Sequence, residues 1–507
     1  MSGVSLFHYD WIANHALRRG HDLAAIDLGT GRRFSYAQFH RRIDGLAACM
    51  ATEFGIGVGD RVAVLAESST DVFEVQFACC RLGAIFVPLN WRLATAELAA
   101  ILSNCDPKLL VHDEGFAGRV ASLGSTAPAL MTGEGGDYER AAMSGRRPAA
   151  YAEMRLEDVC TILYTSGTTG LPKGVMVTYA MNLFNAIMIS GLAEVSRRTV
   201  FLAVLPLFHT GGLNVYANPT FHSGGAVVVM RSFDPGAALA ALGDPALGVT
   251  HFFGVPAHYQ FPMQHPAFTT TDFSRLEMAG VGGAPAPVSI ISGWQAQGVN
   301  VTQGFGMTET GPIVLYLDRE DATRKIGSAG KPAMHVAVRL LSAEGVECGD
   351  NEIGELVLRG PAITPGYWNN QEATAAAIPD GWLRTGDAAI RDSDGYYFIV
   401  DRWKDMYITG GENVYPAEVE NVLHQMAEIA EAAVIGVPSD RWGETGRAII
   451  VLKPGQSLTA DAVIAHCLSR LARYKLPADV VFTDVLPRNA TGKVHKPSLR
   501  GRFGTAV

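Results

Sequence analysis

The segment YTSGTTGLPKG, residues 164–174, carries the strongest local signal in the sequence and decides which fold is expected. An apolar run at 159–163 precedes it, so the segment is predicted to leave the end of a buried strand. Its glycines let backbone N–H groups converge, its hydroxyl groups donate hydrogen bonds, and Lys173 adds a positive charge. The spacing is not that of a P-loop, because Leu-Pro separates Gly170 from Lys173. We therefore predict an anion-binding loop, with a flexible surface loop as the alternative.

Short apolar runs alternate with helical patterns through the first two-thirds of the chain. Residues 61–66 and 84–89 are predicted to be buried strands, and residues 71–82 the helix between them. Further strand candidates are residues 108–112, 200–206 and 225–230. This alternation predicts βαβ units around mixed or parallel sheets, so the expected fold class is α/β.

A domain boundary is predicted near residue 401, where the texture of the sequence changes. Pro416 suits the first turn of a helix, and Glu418 and Glu420 suit the positive end of its dipole. The other elements predicted beyond the boundary are strands 406–409, 433–437, 447–452 and 480–482 and helix 460–473. We expect a large N-terminal domain of mixed sheets with subdomains, residues 1–401, and a small α+β C-terminal domain, residues 402–507.

Composition limits the classes of function. The chain has 507 residues, 48% hydrophobic and 18% charged, which excludes dominant disorder. Its net charge of −9 argues against a nucleic-acid partner, although residues 451–507 hold nine basic and three acidic residues, a net charge of +6. The seven cysteines form no CxxC pair, and no leader or membrane-spanning run is recognised. These features predict a cytoplasmic protein without a transmembrane segment.

Five further motifs follow the 164–174 loop. They are GGAP (282–285), GFGMTE (304–309), WLRTGD (382–387), DRWKD (401–405) and PRNATGK (487–493). In this order, over nearly the whole chain, the motifs resemble those of the adenylate-forming superfamily of acyl-CoA synthetases, adenylation domains and firefly-type luciferases. Residues 401–420 and 471–477 are most similar to bacterial fatty-acyl- and feruloyl-type CoA synthetases.

The resemblance implies an ATP-dependent acid–CoA ligase that works in two steps. A carboxylic acid and ATP with Mg²⁺ first give an acyl-adenylate and pyrophosphate, and CoA then displaces AMP to leave a thioester. The expected acid is hydrophobic, either a medium- to long-chain fatty acid or an aryl, cinnamate-like acid. The small domain is implied to be a mobile lid that pivots at Lys404 between the two steps.

The resemblance also assigns a nucleotide site. A carboxylate beside a triphosphate repels it unless a cation lies between them, so Glu309 is expected to bind Mg²⁺. Lys493 can neutralise charge that develops when a carboxylate attacks the α-phosphate. Phe305 offers a flat face to adenine, and Asp387 can accept hydrogen bonds from the ribose. The expected catalytic residues are Lys493, Glu309 and Thr165. The expected ATP- and AMP-binding residues are Thr165, Ser166, Gly167, Thr168, Thr169, Gly170, Lys173, Gly283, Ala284, Pro285, Gly304, Phe305, Gly306, Met307, Thr308, Asp387 and Arg402.

A CoA site is expected in the C-terminal part. Gly410 and Gly411 allow a pantetheine arm to run close to the backbone. Trp442 is the expected aromatic contact of CoA and Lys475 an expected phosphate contact. The alternatives are a half-buried packing role for Trp442 and a solvated helix end for Lys475.

An acid pocket is expected around His209, Phe253 and Gly254, with Tyr259 beside them. An apolar pocket needs few polar groups to orient a carboxylate, so its sequence does not separate an aryl ring from an alkyl chain. For His209 the alternative is a structural histidine satisfied by the backbone.

Three other functions stay open on the sequence. They are loading of a carrier protein instead of CoA, luciferase-type oxygenation, and a nucleotide-binding pseudoenzyme that acts as a sensor. Intact Lys173, Glu309 and Lys493 argue against the pseudoenzyme. The expected partners are the acid, ATP and CoA, and a homodimer is left open.

Overall fold

The computed structural model describes residues 6–133, 135–165, 172–284, 286–402, 405–409, 412–488 and 494–506. Its strands are β1 (Leu23–Asp27), β2 (Arg33–Ser35), β3 (Arg61–Leu65), β4 (Ile85–Pro88), β5 (Leu109–His112), β6 (Ala129–Met131), β7 (Val159–Thr165), β8 (Lys173–Thr178), β9 (Val200–Ala203), β10 (Ala226–Val229), β11 (His251–Gly254), β12 (Met278–Val281), β13 (Val301–Gly306), β14 (Ile313–Tyr316), β15 (Lys331–Pro332), β16 (Ala337–Leu341), β17 (Ile353–Arg359), β18 (Leu383–Arg391), β19 (Tyr397–Arg402), β20 (Tyr407–Thr409), β21 (Glu412–Val414), β22 (Ile429–Ser439), β23 (Gly443–Leu452) and β24 (Pro477–Phe482). Its α-helices are α1 (Trp11–Arg19), α2 (Tyr36–Glu53), α3 (Thr70–Leu82), α4 (Thr95–Cys105), α5 (Ala117–Ala121), α6 (Asp137–Ala142), α7 (Tyr179–Leu192), α8 (Thr210–Leu213), α9 (Ala217–Ser223), α10 (Pro235–Gly243), α11 (Pro256–Gln264), α12 (Val288–Gln295), α13 (Gln371–Ala377), α14 (Pro416–Leu423), α15 (Ala460–Leu468) and α16 (Lys496–Phe503). None of the helices in these ranges combines the length and the apolar character needed to cross a membrane.

The described strands form four sheets. A nine-stranded sheet has the order β15-β14-β13-β12-β11-β9-β10-β1-β2, and a six-stranded sheet has the order β6-β5-β3-β4-β7-β8. The central strands of both sheets are parallel, whereas β7 with β8, β13 with β14 and β1 with β2 are antiparallel pairs. Strands β16 to β19 form an antiparallel sheet, and β20 to β24 form the last sheet.

Strand β9 shows why the apolar runs predict the sheets. Phe201 and Ala203 face a core shared with β3, β5 and helices α2 and α3, while Leu202 faces a second core under α10 and α12. A strand covered on both faces is apolar at every position, so it reads as a continuous hydrophobic run. The predicted α/β fold class is confirmed.

The C-terminal strands and helices have a core of their own, which includes Tyr407, Leu423, Val434, Ile450 and Val463. Along the chain, a small α+β unit follows the large α/β part, as predicted. The domain limits at residues 401 and 402 stay a prediction.

The predicted helix 460–473 is too long. Helix α15 ends at Leu468, and a 3₁₀ turn follows at Arg473–Lys475. The hydroxyl of Ser469 and the guanidinium of Arg470 both donate to the carbonyl oxygen of His466. They occupy the acceptor that the backbone N–H of Arg470 would need in a continued helix, so the helix stops there.

Candidate active site

The predicted anion loop joins the two strands of a hairpin. Thr165 at the end of β7 lies opposite Lys173 at the start of β8, and its hydroxyl donates to the carbonyl oxygen of Lys173 over 3.4 Å. A β-carbon on Gly174 would lie 2.8 Å from Cγ2 of Ile162, so the strands approach closely only because this residue is glycine. The hairpin therefore fixes both ends of the loop. The loop residues Ser166, Gly167, Thr168, Thr169 and Gly170 lie outside the described residues.

Beside the hairpin, Tyr367 joins two of the predicted site residues. Its hydroxyl donates to Oε1 of Glu309 over 2.9 Å, and Nζ of Lys173 lies 5.2 Å from the centre of its ring. Glu309 is only 7% exposed. The ammonium of Lys173 thus lies over the ring of Tyr367 and the carboxylate of Glu309 at its hydroxyl, next to the residues where the hairpin loop begins and ends.

The sequence analysis missed Tyr367. The segment that carries it runs antiparallel along β8: the N–H of Met176 donates to Gly366 over 3.0 Å, and the N–H of Trp368 donates to Gly174 over 2.7 Å. These partners are far apart in the chain, so no local period marks the contact. The only local signal was an aromatic pair after a Pro-Gly turn.

Glu309 is positioned by a tight reversal after β13. A β-carbon on Gly306 would overlap the carbonyl oxygen of Pro312 as the chain returns into β14. The 3₁₀ turn Thr308–Thr310 is capped by the hydroxyl of Thr310, which accepts from the N–H of Met307 over 2.9 Å. The ring of Phe305 is half-buried against the core beneath β16 to β19. This local packing fixes the backbone on which Glu309 stands.

The other predicted nucleotide-binding residues of the 282–285 and 304–309 motifs differ in burial. Gly283 has a φ of +78° and is exposed with Ala284, while Thr308 is only 5% exposed. A β-carbon on Gly304 would lie 3.2 Å from the carbonyl oxygen of Leu315. Pro285 lies outside the described residues.

Asp387 and Arg402 are brought together by the sheet. They are direct cross-strand partners in the antiparallel pair of β18 and β19. Asp387 is only 4% exposed, and its N–H donates to the hydroxyl of Thr385 over 3.0 Å. The pairing places the two predicted ribose contacts side by side in the backbone.

Phe253 and Gly254 are the last two residues of β11, and His209 directly precedes α8, beyond the neighbouring strand β9. The Nδ1 atom of His209 accepts from the N–H of Gly211 over 3.1 Å and so caps α8, which is the structural role considered for it. Phe253 is 5% exposed and packs edge-on against Tyr216, with ring centres 5.5 Å apart. Gly254 approaches His258, where a β-carbon would lie 2.6 Å from Cβ.

The place of Tyr259 in the predicted acid pocket stays a prediction, and its ring lies near Gly254, where a β-carbon would be 3.5 Å from Cε2 of Tyr259. Its side chain is fully buried in the second core, and its hydroxyl donates to the carbonyl oxygen of Gly280 over 2.7 Å. Phe253 belongs to the first core, on the other face of the sheet. The chain changes from strand to helix at Pro256, so the two-residue period that would align these side chains ends there.

Two of the predicted CoA contacts, Trp442 and Lys475, lie at the surface of the C-terminal part. Trp442 is 47% exposed, and the guanidinium of Arg441 lies 4.7 Å from its ring centre. The ammonium of Lys475 contacts both carboxylate oxygens of Glu418, at 2.6 and 2.8 Å. Burial alone would lower the pKa of Lys475, but Glu418 outweighs it and the pKa is raised. Gly410 and Gly411 lie outside the described residues.

A crevice that sequence reasoning missed opens where the carboxyl ends of the two large sheets meet. Arg92 and Arg231 line it together with Trp91 and His258. Burial lowers the pKa of Arg92, and burial with the nearby Arg92 guanidinium lowers the pKa of His258 to about 4. Guanidinium groups in a concave site favour an anionic ligand.

Residues on both sides of Lys404 and of Lys493, the predicted hinge and catalytic lysines, make defined contacts. On either side of Lys404, Asp401 accepts from the N–H of Ala417 over 2.8 Å, and Asp405 pairs with Arg500 at 2.8 Å. Arg488 and Val494 form an antiparallel bridge on either side of Lys493. Lys404 and Lys493 themselves lie outside the described residues.

The described residues contain no group of three or more histidine, cysteine or acidic side chains that could hold a metal ion by themselves. Mg²⁺ that accompanies a nucleotide commonly uses one or two carboxylates together with phosphate oxygens and water. The carboxylate predicted for this role is that of Glu309, which is nearly buried and accepts a hydrogen bond from Tyr367.

Comparison with known proteins identifies the family. Residues 12–368 match the family model described as AMP-binding enzyme, and residues 418–493 match the model of the AMP-binding enzyme C-terminal domain. The chain belongs to the family of AMP-binding enzymes. The predicted superfamily is confirmed, and so is the predicted enzyme class, an AMP-forming acid–thiol ligase.

Individual relatives are similar over almost their full length. A feruloyl-CoA synthase from Amycolatopsis sp is 40% identical over 494 residues, which is 97% of this chain and 98% of the relative. A long-chain-fatty-acid–CoA ligase from Mycobacterium tuberculosis is 36% identical over 490 residues, 96% of each chain. The crystal structure of ATP-bound MatB from Rhodopseudomonas palustris is 31% identical, covers 98% of this chain and 99% of its own, and superposes with a TM-score of 0.91.

Proposed function

We propose that this protein is an ATP- and Mg²⁺-dependent acid–CoA ligase that acts on a hydrophobic carboxylic acid. The observation that carries the proposal is the arrangement of Lys173, Tyr367 and Glu309 at the mouth of the hairpin loop. It offers positive charge for phosphate groups and a buried carboxylate for the cation that accompanies them. Relatives named as feruloyl-CoA synthase and long-chain-fatty-acid–CoA ligase support the reaction and the class of acid.

In the first step, a carboxylate oxygen of the acid attacks the α-phosphorus of ATP. The bond from the α-phosphorus to the bridging oxygen breaks, and pyrophosphate leaves with the electron pair. Lys173 and the loop from Thr165 to Gly170 hold the β- and γ-phosphates, and Lys493 neutralises charge around the α-phosphate as it develops. The protein acts by positioning and electrostatics, without a covalent nucleophile.

Glu309 would hold Mg²⁺, with the hydroxyl of Tyr367 fixing its Oε1 atom. When bound, Mg²⁺ screens the negative charge of the triphosphate. Phe305 and the backbone at Gly283 and Ala284 form the adenine side of the site. Asp387 and Arg402, cross-strand neighbours, contact the ribose.

In the second step, the thiolate of CoA attacks the carbonyl carbon of the acyl-adenylate. The bond to the AMP oxygen breaks, AMP leaves with its electron pair, and a thioester remains. We place the boundary between the two domains at residues 401 and 402, with a pivot at Lys404 that moves Lys493 away before CoA binds. Trp442, Lys475 and the glycines at 410 and 411 then face CoA, and the crevice lined by Arg92 and Arg231 offers further positive charge to its phosphates.

The experiment is a pyrophosphate-release screen across short, long, branched and aromatic acids, with and without CoA. We expect release to depend on ATP, Mg²⁺ and a hydrophobic acid, and a thioester to form when CoA is present. ATP binding without pyrophosphate release for any acid would contradict the proposal and support the sensor alternative. Acyl transfer to a carrier protein but not to CoA would replace CoA by a carrier as the acceptor.

A further inference from the structure

We propose that Tyr367 is a positioning residue that supports both the phosphate-binding and the metal-binding half of the ATP site. The inference rests on the proposed function, because it assigns a role toward ATP and Mg²⁺. One side chain contacts both halves: the hydroxyl donates to Glu309, and the ring face lies under the ammonium of Lys173. A shift of either Lys173 or Glu309 would therefore disturb a contact to the Tyr367 side chain.

The backbone of Tyr367 is held from two sides. On one side it forms an antiparallel bridge with Val175 of β8. On the other side its N–H donates over 2.9 Å to the hydroxyl of Thr374, which lies in α13. A β-carbon on the preceding Gly366 would overlap the side chain of Thr374, so glycine is required for this approach. The phenol is therefore preorganised by the fold before any ligand binds.

The hydroxyl and the ring of Tyr367 contact groups of opposite charge. A hydroxyl that donates to a carboxylate forms a charge-assisted hydrogen bond, which fixes the orientation of the Glu309 carboxylate. The ring face attracts an ammonium through its quadrupole. Loss of the hydroxyl should therefore weaken the response to Mg²⁺, whereas loss of the ring should also weaken phosphate binding.

The test measures ATP binding by calorimetry, in Mg²⁺ and in excess chelator, for the full chain. Tyr367→Phe keeps the ring and removes the hydroxyl. We expect the gain in ATP affinity produced by Mg²⁺ to fall about tenfold, as for loss of one hydrogen bond to a charged group, with metal-free affinity unchanged. Tyr367→Leu should in addition lower the metal-free affinity by about threefold, through loss of the ring beneath Lys173.

The matched control is Tyr138→Phe. The hydroxyl of Tyr138 donates to Glu74 over 2.9 Å in the buried interior between α3 and α6, so the variant removes a bond of the same kind and length. We expect its Mg²⁺ response to equal that of the wild type. A similar loss in Tyr138→Phe would show that general destabilisation explains the effect, and would overturn the proposal.

Double variants test whether the Mg²⁺ effect of Tyr367→Phe acts through Glu309. In a Glu309→Gln background, Tyr367→Phe should cause no further loss of the Mg²⁺ response; in a Lys173→Met background it should keep its full effect. An unchanged Mg²⁺ response in Tyr367→Phe, or an equal loss with and without Glu309, overturns the inference alone. Absence of ATP binding by the wild type would instead overturn the proposed function as well.

Discussion

The two parts of the candidate site are held in place by different physical means. In the N-terminal part, Glu309 and Asp387 are nearly buried. The close approach of Gly306 to Pro312 fixes the turn that carries Glu309, and the hydroxyl of Thr385 accepts from the N–H of Asp387. In the C-terminal part, Trp442 is half-exposed and Lys475 is held by an ion pair with Glu418. Buried, packed groups are rigid, whereas exposed ion pairs are weak and exchange easily. This contrast agrees with the proposed function, in which the first part holds ATP and the acid and the second changes position between the two steps.

The largest expected effect comes from Lys493, the predicted catalytic residue of the C-terminal part. Lys493→Ala should lower pyrophosphate formation about 1000-fold, because an ammonium that meets developing charge is removed. Thioester formation from supplied acyl-adenylate should stay within a few-fold of the wild type, because in the proposed mechanism Lys493 moves away before that step. Both half-reactions are measured separately by rapid quench.

Lys453→Ala is the matched control for Lys493→Ala. Lys453 lies in the same C-terminal part, and its ammonium donates to the carbonyl oxygen of Ala427. It should leave both half-reactions unchanged. An equal fall of both half-reactions in Lys493→Ala would contradict a C-terminal part that changes position between the steps.

The next prediction compares two glycines. Gly306→Ala should lower the free energy of unfolding by about 3 kcal/mol, because its β-carbon would overlap the carbonyl oxygen of Pro312 in a packed turn. Gly501 lies in α16, and a β-carbon there meets nothing within 4 Å. Gly501→Ala should therefore raise the stability by up to about 1 kcal/mol. Urea unfolding measures both, and equal costs at the two positions would remove the contrast between the two parts.

These contrasts also show how far the sequence could predict the molecule. The strands were predictable because those covered on both faces are continuous apolar runs, as in β9. The 164–174 loop was found through its local chemistry, and the other motif residues through their resemblance to the adenylate-forming superfamily. Tyr367 was not, because it meets Glu309 and Lys173 only when the segment at 364–368 lies along β8. The crevice at Arg92 and Arg231 likewise exists only where two sheets meet.

Acid should weaken the packed N-terminal part through His258. His258 has a pKa lowered to about 4 by burial and by Arg92, while an unfolded histidine titrates near 6.5. The stability that neutral His258 contributes is therefore complete above pH 6.5 and is lost as pH falls toward 4. Between pH 7 and pH 5 this one group should cost about 2 kcal/mol of unfolding free energy.

His258→Gln removes that titration, so the loss between pH 7 and pH 5 should shrink by about the same amount. His21→Gln is the control, because the side chain of His21 is 88% exposed. Urea unfolding at both pH values gives the two differences. An unchanged pH dependence in His258→Gln would show that other groups govern the acid response of this part.

The smallest expected effect tests the exposed side of the comparison. Trp442→Ala should raise KM for CoA about tenfold, which corresponds to the loss of one aromatic stacking contact. Pyrophosphate formation without CoA should not change, and the free energy of unfolding should change by less than about 0.5 kcal/mol, because the side chain is 47% exposed. Phe482→Ala, at a position 38% exposed in β24, is the matched control and should leave KM for CoA unchanged. If KM for ATP rose with KM for CoA in Trp442→Ala, the C-terminal surface would serve both ligands alike, and the division of labour between the two parts would be wrong.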